Sequence, residues 1–254
     1  MMTLESVDTL MLQPPISAPP FNKLLASLPA DDYQRILPHM KAVPLRFKQV
    51  LHKQGERIQD IYFPGGGACS MTKVMENGEA AEIATIGNEG LVGASVFFGD
   101  DQSVGETLIQ VPDGSGYMMA LEPFMAEMER RGAFYNRVIR YYQALMTQVM
   151  QTTVCNGLHS AEQRCCRWLL MTHDRVGSDE LKLTHEFLSI MLAVRRPTIT
   201  LIIRKLERGG LVGNRRGSIR ILDRTALEAA SCECYGTVKA NFARLLPQIP
   251  GPTG

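Results

Sequence analysis

No stretch of the 254-residue chain holds the roughly 18 consecutive apolar residues that a membrane span requires. A membrane protein is therefore not expected. No basic stretch followed by an apolar core stands at the N-terminus, so no secretory signal is read there, and a cytoplasmic location is expected. Histidine is scarce: His39, His52, His159, His173 and His185 are all there are. Only His52 falls among the strand-like segments, so the clustered ligands of a cupin-type metalloenzyme are not available. Pro64-Gly65-Gly66-Gly67 lacks the Lys-Ser/Thr of a phosphate-binding loop. No Cys-x-x-Cys pair occurs among Cys69, Cys155, Cys165, Cys166, Cys232 and Cys234, and no His lies at zinc-finger spacing. A reducing compartment disfavours disulfides, so these read mainly as small apolar residues. Cys232-x-Cys234 supplies two ligands, which alone do not close a metal site. The chain therefore reads as a non-enzyme with no metal site and no cofactor identified. A redox role for Cys165-Cys166 or Cys232-x-Cys234 stays open.

What is present divides in two. The length suits two domains. The first twenty residues carry Pro14, Pro15, Pro19 and Pro20 and few large apolar groups, and read as a disordered leader. Residues 160–224 hold 13 Lys and Arg against 7 Asp and Glu, while the rest of the chain holds 14 against 19. A basic segment beside an acidic remainder suggests that one part meets a polyanion. Residues 21–40 read as helical, with a break and fresh start at Pro29, Asp31 and Asp32. From 43 to about 121, short apolar or alternating runs are separated by Gly55-Glu56, Pro64 to Gly67, Asn77-Gly78, Gly87-Asn88, Gly99-Asp100 and Asp113-Gly114. Turns at that interval indicate a β-sandwich or barrel, and Asn77-Gly78 is a hairpin signal.

The period then turns helical. Pro123 opens a short helix, and a long one is expected over 133–156, stopped by Gly157. It carries two adjacent semi-apolar stripes. One is Val138, Tyr141, Leu145, Gln148, Thr152 and Cys155; the other is Ile139, Tyr142, Met146, Val149 and Thr153. Two stripes imply two things to cover, the barrel and a partner helix. The first stripe, Val138, Tyr141, Leu145, Gln148 and Thr152, is taken as the dimer interface. A helix over 161–176 follows, with Trp168, Leu169 and Leu170 inward and Arg164, Arg167 and Arg175 outward.

Residues 183–223 are the most informative. Thr184 is an N-cap for a helix of about eight residues, with Glu186 where the dipole favours it. A small residue, Ala193, lies before a second helix that tolerates Pro197 in its first turn. Ile199, Ile202, Ile203 and Leu206 repeat on its inner face, leaving Arg195, Arg196, Thr198, Thr200 and Arg204 outward. Asn214-Arg215-Arg216-Gly217-Ser218 is a hairpin tip between two short strands, a basic wing able to reach phosphates or a minor groove.

This order of β-rich domain, long helix, helix-turn-helix and wing, over 21–224, resembles the Crp/Fnr family, the cyclic-nucleotide- and oxygen-responsive regulators of bacteria. Gly55-Glu56, Ile61-Tyr62-Phe63 and Gly67 carry the N-terminal likeness; Leu183-Thr184 through Ile202, Arg204 and Leu206 carry the more specific one. The resemblance implies an α+β protein. A cupin-like jelly-roll sensor at 21–132 would precede a dimerisation helix at 133–157, a winged helix-turn-helix at 158–235 and a tail at 236–254. It also implies a homodimer that binds double-stranded DNA and meets RNA polymerase. Arg196 falls where the family carries a base-reading arginine, and Thr184, Thr198 and Arg204 where phosphate contacts are usual. His185, Arg195, Thr200, Arg215 and Arg216 complete the expected DNA-binding set. Pro197 and Leu201 depart from the family's polar readers, which implies a different operator. The cyclic-nucleotide cassette is also missing. Ala94 stands for its glutamate, and no arginine lies between Arg57 and Arg130, so a cyclic phosphate has no cation to meet. No cysteine precedes Cys69, against an N-terminal iron–sulfur centre. An unknown small-molecule effector is left open. The alternative is a sensor module that acts through protein contacts without DNA.

Overall fold

The computed structural model describes residues 21–111 and 115–246. The expected leader, the turn at Asp113-Gly114 and the last residues of the expected tail lie outside the described residues. The N-terminal helices are short: α1 (Lys23–Ala26), α2 (Ala30–Ile36) and a 3-10 turn over Leu37–His39. Asn22 explains why so short a helix holds. Its side-chain oxygen accepts from the Leu25 amide, and its amide donates to the carbonyls of Pro64 (2.9 Å) and Gly90 (2.7 Å). The cap is thus also a rivet onto the strands.

Seven strands follow: β1 (Met40–Pro44), β2 (Val50–His52), β3 (Asp60–Pro64), β4 (Ala68–Val74), β5 (Ala80–Ile86), β6 (Glu106–Val111) and β7 (Ser115–Ala120). They form two antiparallel sheets, β2-β6-β4-β5 and β1-β7-β3. Alternation buries one face of each: Ile61 and Phe63 in β3, Ile109 in β6 and Met119 in β7 meet in the middle. The hairpin expected at Asn77-Gly78 joins β4 to β5, with Gly78 at φ +82°. A 3-10 turn, Ala94–Phe98, lies between β5 and β6.

Two helices close the barrel, α3 (Leu121–Glu129) and α4 (Ala133–Leu158). Phe124 and Phe134 meet edge to face at 5.7 Å and seal it. Gly90 lies directly under α4: a Cβ there would stand 1.9 Å from the Tyr141 ring. Gly157 does not stop α4, which runs through it to Leu158 because the backbone hydrogen bonds continue to His159.

The C-terminal unit comprises α5 (Ala161–Val176), β8 (Glu180–Leu181), α6 (His185–Met191), α7 (Arg196–Arg208), β9 (Val212–Arg215), β10 (Ser218–Ile221), α8 (Arg224–Ala230) and α9 (Cys234–Leu245). A capping box between Ser160 and Gln163 starts α5, and Gly177 in the left-handed region ends it. Trp168, Leu169, Leu188, Ile199, Ile203 and Ile219 form its core.

Several expectations are corrected. The stripe Val138, Tyr141, Leu145, Gln148 and Thr152 is buried within the chain, so it cannot be the dimer interface. It covers the barrel and meets α5; of the second stripe Ile139, Tyr142 and Val149 are half-buried against the barrel, and the uncovered face of the helix is Met146, Met150, Val154 and Leu158. Arg167 and Arg175 do not face outward. Arg167 is buried and donates to Thr152 Oγ1 (3.2 Å), while Arg175 pairs with Glu89 of the barrel (2.8 Å). The tail at 236–254 is helical as far as Leu245, because Tyr235, Val238, Phe242 and Leu245 recur at helical spacing and lie against α4 and α5.

Candidate nucleic-acid interface

Thr184 Oγ1 accepts the Phe187 amide at 3.1 Å and starts α6. The chain turns at Ala193, which adopts φ +49° while Val194 N donates to Ser189 O. That conformation costs a large side chain more than a methyl group, which is why a small residue stands there. α7 then begins with Arg196 and Pro197 in its first turn. Ile199, Ile202, Ile203 and Leu206 lock it inward, which leaves Arg195, Arg196, Leu201 and Arg204 exposed. Thr198 is half-buried.

The wing is the hairpin of β9 and β10, paired Arg215 to Ser218, so Arg216-Gly217 is its two-residue tip, with Gly217 at φ +78°. β8 extends it to a three-stranded sheet of order β8-β10-β9. Arg215 and Arg216 are exposed. His185 joins helix and wing: its Nδ1 lies 3.1 Å from Thr200 Oγ1 and its Nε2 lies 3.3 Å from Asn214 Oδ1. The row Arg196, Thr200, Arg204 on α7 is therefore held beside the base of the wing. His185 and Thr200 have their polar atoms engaged in this brace, and Asn214 is a positioning residue that the sequence did not single out. Arg196 has Glu186 as a neighbour at 3.7 Å, an exposed and therefore weak pair.

The two units are joined by polar groups. Glu82 of β5 is buried and accepts hydrogen bonds from Ser70 Oγ (2.7 Å), from Thr85 Oγ1 and from Trp168 Nε1 (3.1 Å) of α5. Arg175 donates through Nε to Glu89 (2.9 Å) and through Nη2 to Gln148 of α4 (3.2 Å).

Inside the barrel lies a cavity of about 170 Å³ against α4, lined by Ile58, Ile86, Leu91, Gly93, Ala94, Tyr142 and Met146, with His52, Ser95, Ser103 and Thr107 among its polar residues. No Lys or Arg is among its lining residues. His52 Nε2 lies 2.8 Å from the Asp60 carbonyl, and burial pushes the imidazole below its ordinary value.

The cysteines fall into separate environments. Cys69, Cys165 and Cys166 are buried, and burial pushes the Cys69 and Cys166 thiols up to about 12 and Cys165 higher. Thiols so protonated are poor nucleophiles, which removes Cys165-Cys166 as a redox pair. Cys155, His159, Cys232 and Cys234 converge instead, with their ligand atoms all within 4.8 Å of one another. The expectation that no metal-ligating set exists is thereby corrected: the fold joins pairs that lie far apart in the chain.

Residues 163–230 match the Crp-like helix-turn-helix domain family. No curated protein sequence matches the chain. Among solved structures, a Crp/Fnr-family transcriptional regulator from Eubacterium rectale is similar at 20% identity, covering 83% of this chain and 98% of its own, with a TM-score of 0.65. A CRP-family regulator from Thermus thermophilus, TTHB099, is similar at 18% identity, 75% and 96% coverage, and a TM-score of 0.63. FixK2 from Bradyrhizobium japonicum is similar at 13% identity, 76% and 98% coverage, and a TM-score of 0.65. Among the described residues no helix is long and apolar enough to cross a membrane. The chain thus carries a C-terminal Crp-like helix-turn-helix domain and shares its overall fold with these Crp/Fnr-family regulators.

Proposed function

We propose that the protein binds double-stranded DNA sequence-specifically as a homodimer, reading bases with α7 and following the backbone with the wing. The observation that carries this reading is the His185 brace, which holds the row Arg196, Thr200, Arg204, with both arginines exposed, beside the wing arginines. Arg196 at the start of α7 has the reach for a guanine edge, and Leu201, 66% exposed on the same helix, suits a thymine methyl rather than a polar base edge. Arg195, Arg204, Arg215 and Arg216 supply charge for phosphates.

A dimer is supported by the stripe of α4 that the barrel leaves uncovered. Met146, Met150, Val154 and Leu158 follow one another at four-residue spacing, with Met150 66% and Leu158 77% exposed. A second copy lying along this stripe would bury it and give two recognition helices for a two-fold operator. The barrel cavity supports an uncharged, largely apolar effector, since no cation lines it to receive a cyclic phosphate. Calorimetry with cyclic AMP should show no micromolar binding.

Selection of bound duplexes from a random pool, followed by titration at two or more salt concentrations, tests the DNA reading. Enrichment of a two-fold-symmetric sequence and a steep fall in affinity with salt are expected. Binding that ignores salt, or none at all, would favour a sensor that acts through protein contacts.

A further inference from the structure

We propose that Cys155, His159, Cys232 and Cys234 form a tetrahedral site for one thiophilic divalent cation of the zinc class, which clamps the end of α4 to the start of α9. Cys155 and His159 stand one turn apart where α4 ends, on the same side of the helix. Cys232 lies in the short connection between α8 and α9 and Cys234 is the first residue of α9, with Glu233 between them. The Sγ atoms of Cys155 and Cys232 are 3.4 Å apart, and Cys234 Sγ is 3.5 Å from His159 Nδ1. Ligands about 2.3 Å (sulfur) and 2.0 Å (nitrogen) from one tetrahedral ion lie about 3.5–3.8 Å from one another. Those two pairs are close to the spacing a single ion imposes, and all four ligand atoms lie within 4.8 Å of one another, near enough to close on one ion. An iron–sulfur cluster, whose own atoms stand between its cysteines, needs them farther apart.

Burial and surroundings point the same way. All three cysteines are buried, and the His159 side chain is only 15% exposed, so four protein ligands close the site as in a structural rather than a catalytic centre. His159 turns Nδ1 toward the thiols and holds Nε2 3.2 Å from the Glu233 carboxylate. That is the orientation of a metal-ligating histidine, its second nitrogen fixed by an acceptor outside the coordination shell. Gln151 Nε2 donates to Cys234 Sγ at 3.0 Å. Three thiolates and a divalent ion carry a net negative charge, and the buried Arg167 guanidinium close by offsets it.

The site sits at a mechanical junction. Only His159 and Ser160 connect α4 to α5, and one of the two is a ligand. A bound ion fixes the direction in which the DNA-binding unit leaves α4. It also pins α9, which packs back along α4.

The test uses the full-length chain, purified under reducing conditions, stripped with a chelator and titrated with Co²⁺ and then Zn²⁺. The expected result is one Co²⁺ per chain with intense tetrahedral ligand-field bands and a thiolate-to-cobalt band, both bleached by one equivalent of Zn²⁺. Cys234→Ser should cut the intensity of the thiolate band by about a third, as one of three thiolates is lost, or weaken binding at least 100-fold. Cys69→Ala, in the barrel core, should leave it intact. Because Cys234→Ser could unfold the chain, Glu233→Gln provides the second arm. Its side chain is 75% exposed, and its loss should weaken the metal roughly 10–100-fold without loss of fold. An octahedral cobalt spectrum, a stoichiometry well below one, or a Cys155–Cys232 disulfide in the reduced preparation would overturn the proposal.

Discussion

Arg175→Met tests whether the barrel and the DNA-binding unit are held together by a buried ion pair. Arg175 donates to Glu89 through Nε and Nη2, to the Met171 carbonyl through Nη1 (2.8 Å) and to Gln148 Oε1, and it lies over the Phe242 ring. Methionine fills similar space but leaves the Glu89 carboxylate with only the Gly87 amide at 3.2 Å. Side-chain exposures of 9% and 14% put the pair close to fully desolvated. Removing one partner of such a pair costs about 3–5 kcal/mol, and the residual exposure favours the lower end, about 3 kcal/mol. For a chain of this size that is a fall of about 6–12 °C in melting temperature. Urea unfolding followed by far-UV circular dichroism and by fluorescence of Trp168, the sole tryptophan, measures it. Trp168 sits at the same junction through Glu82, so its emission also reports whether the units separate before they unfold. The double variant Arg175→Met, Glu89→Gln removes the orphaned charge and should recover at least about 1 kcal/mol. A single variant within about 0.5 kcal/mol of the parent, or a double variant no more stable than the single, refutes the reasoning.

Arg196→Ala should cost roughly 1–3 kcal/mol on the selected operator and relax preference at one base pair. Arg215→Ala with Arg216→Ala should instead weaken all duplexes alike and flatten the salt slope by about one unit per lost phosphate contact. Arg196→Ala with an unchanged specificity ratio would rule out base reading. Met150→Glu should separate the dimer by about 2 kcal/mol per chain, read by sedimentation, whereas a charge at the buried Leu145 should unfold the barrel. Two-chain mass in Met150→Glu would place the interface elsewhere. His52 is held below its ordinary value of 6.5 by burial, so the unfolded chain binds the proton more readily. Stability should be full above about 6.5 and decline as pH falls below it. His52→Gln should flatten that decline in urea midpoints taken at a series of pH values, and an unaltered slope would assign it to other groups.

The elements themselves were legible in the sequence, because their signals are local. Thr184 before an apolar-periodic run, Ala193 ahead of Pro197, and a Gly-tipped basic hairpin mark a winged helix-turn-helix with no knowledge of the rest of the chain. Asn77-Gly78 and the regular turn spacing marked the sheets in the same way. The missing cyclic-nucleotide arginine was equally plain, since an absent residue type needs no coordinates. The helix at 234–245 could also have been read from Tyr235, Val238, Phe242 and Leu245.

What required the tertiary structure was every question of which face meets what. Both stripes of α4 are apolar enough to be buried. Packing such as that at Gly90, which admits Tyr141 against its backbone, decides that Val138, Tyr141 and Leu145 belong to the barrel and that Met150 and Val154 face out. Arg167 and Arg175 occupy positions that look solvated on a helical wheel, yet they turn toward Thr152 of α4 and Glu89 of the loop after β5. The convergence of Cys155 and His159 with Cys232 and Cys234 was likewise out of reach, because ligand spacing along the chain is informative only when the intervening loop is short. Here two further helices, a helix-turn-helix and a three-stranded wing intervene. Local backbone preference and apolar period act over a few residues and can be read directly. Which distant surfaces touch is settled by packing the whole chain at once.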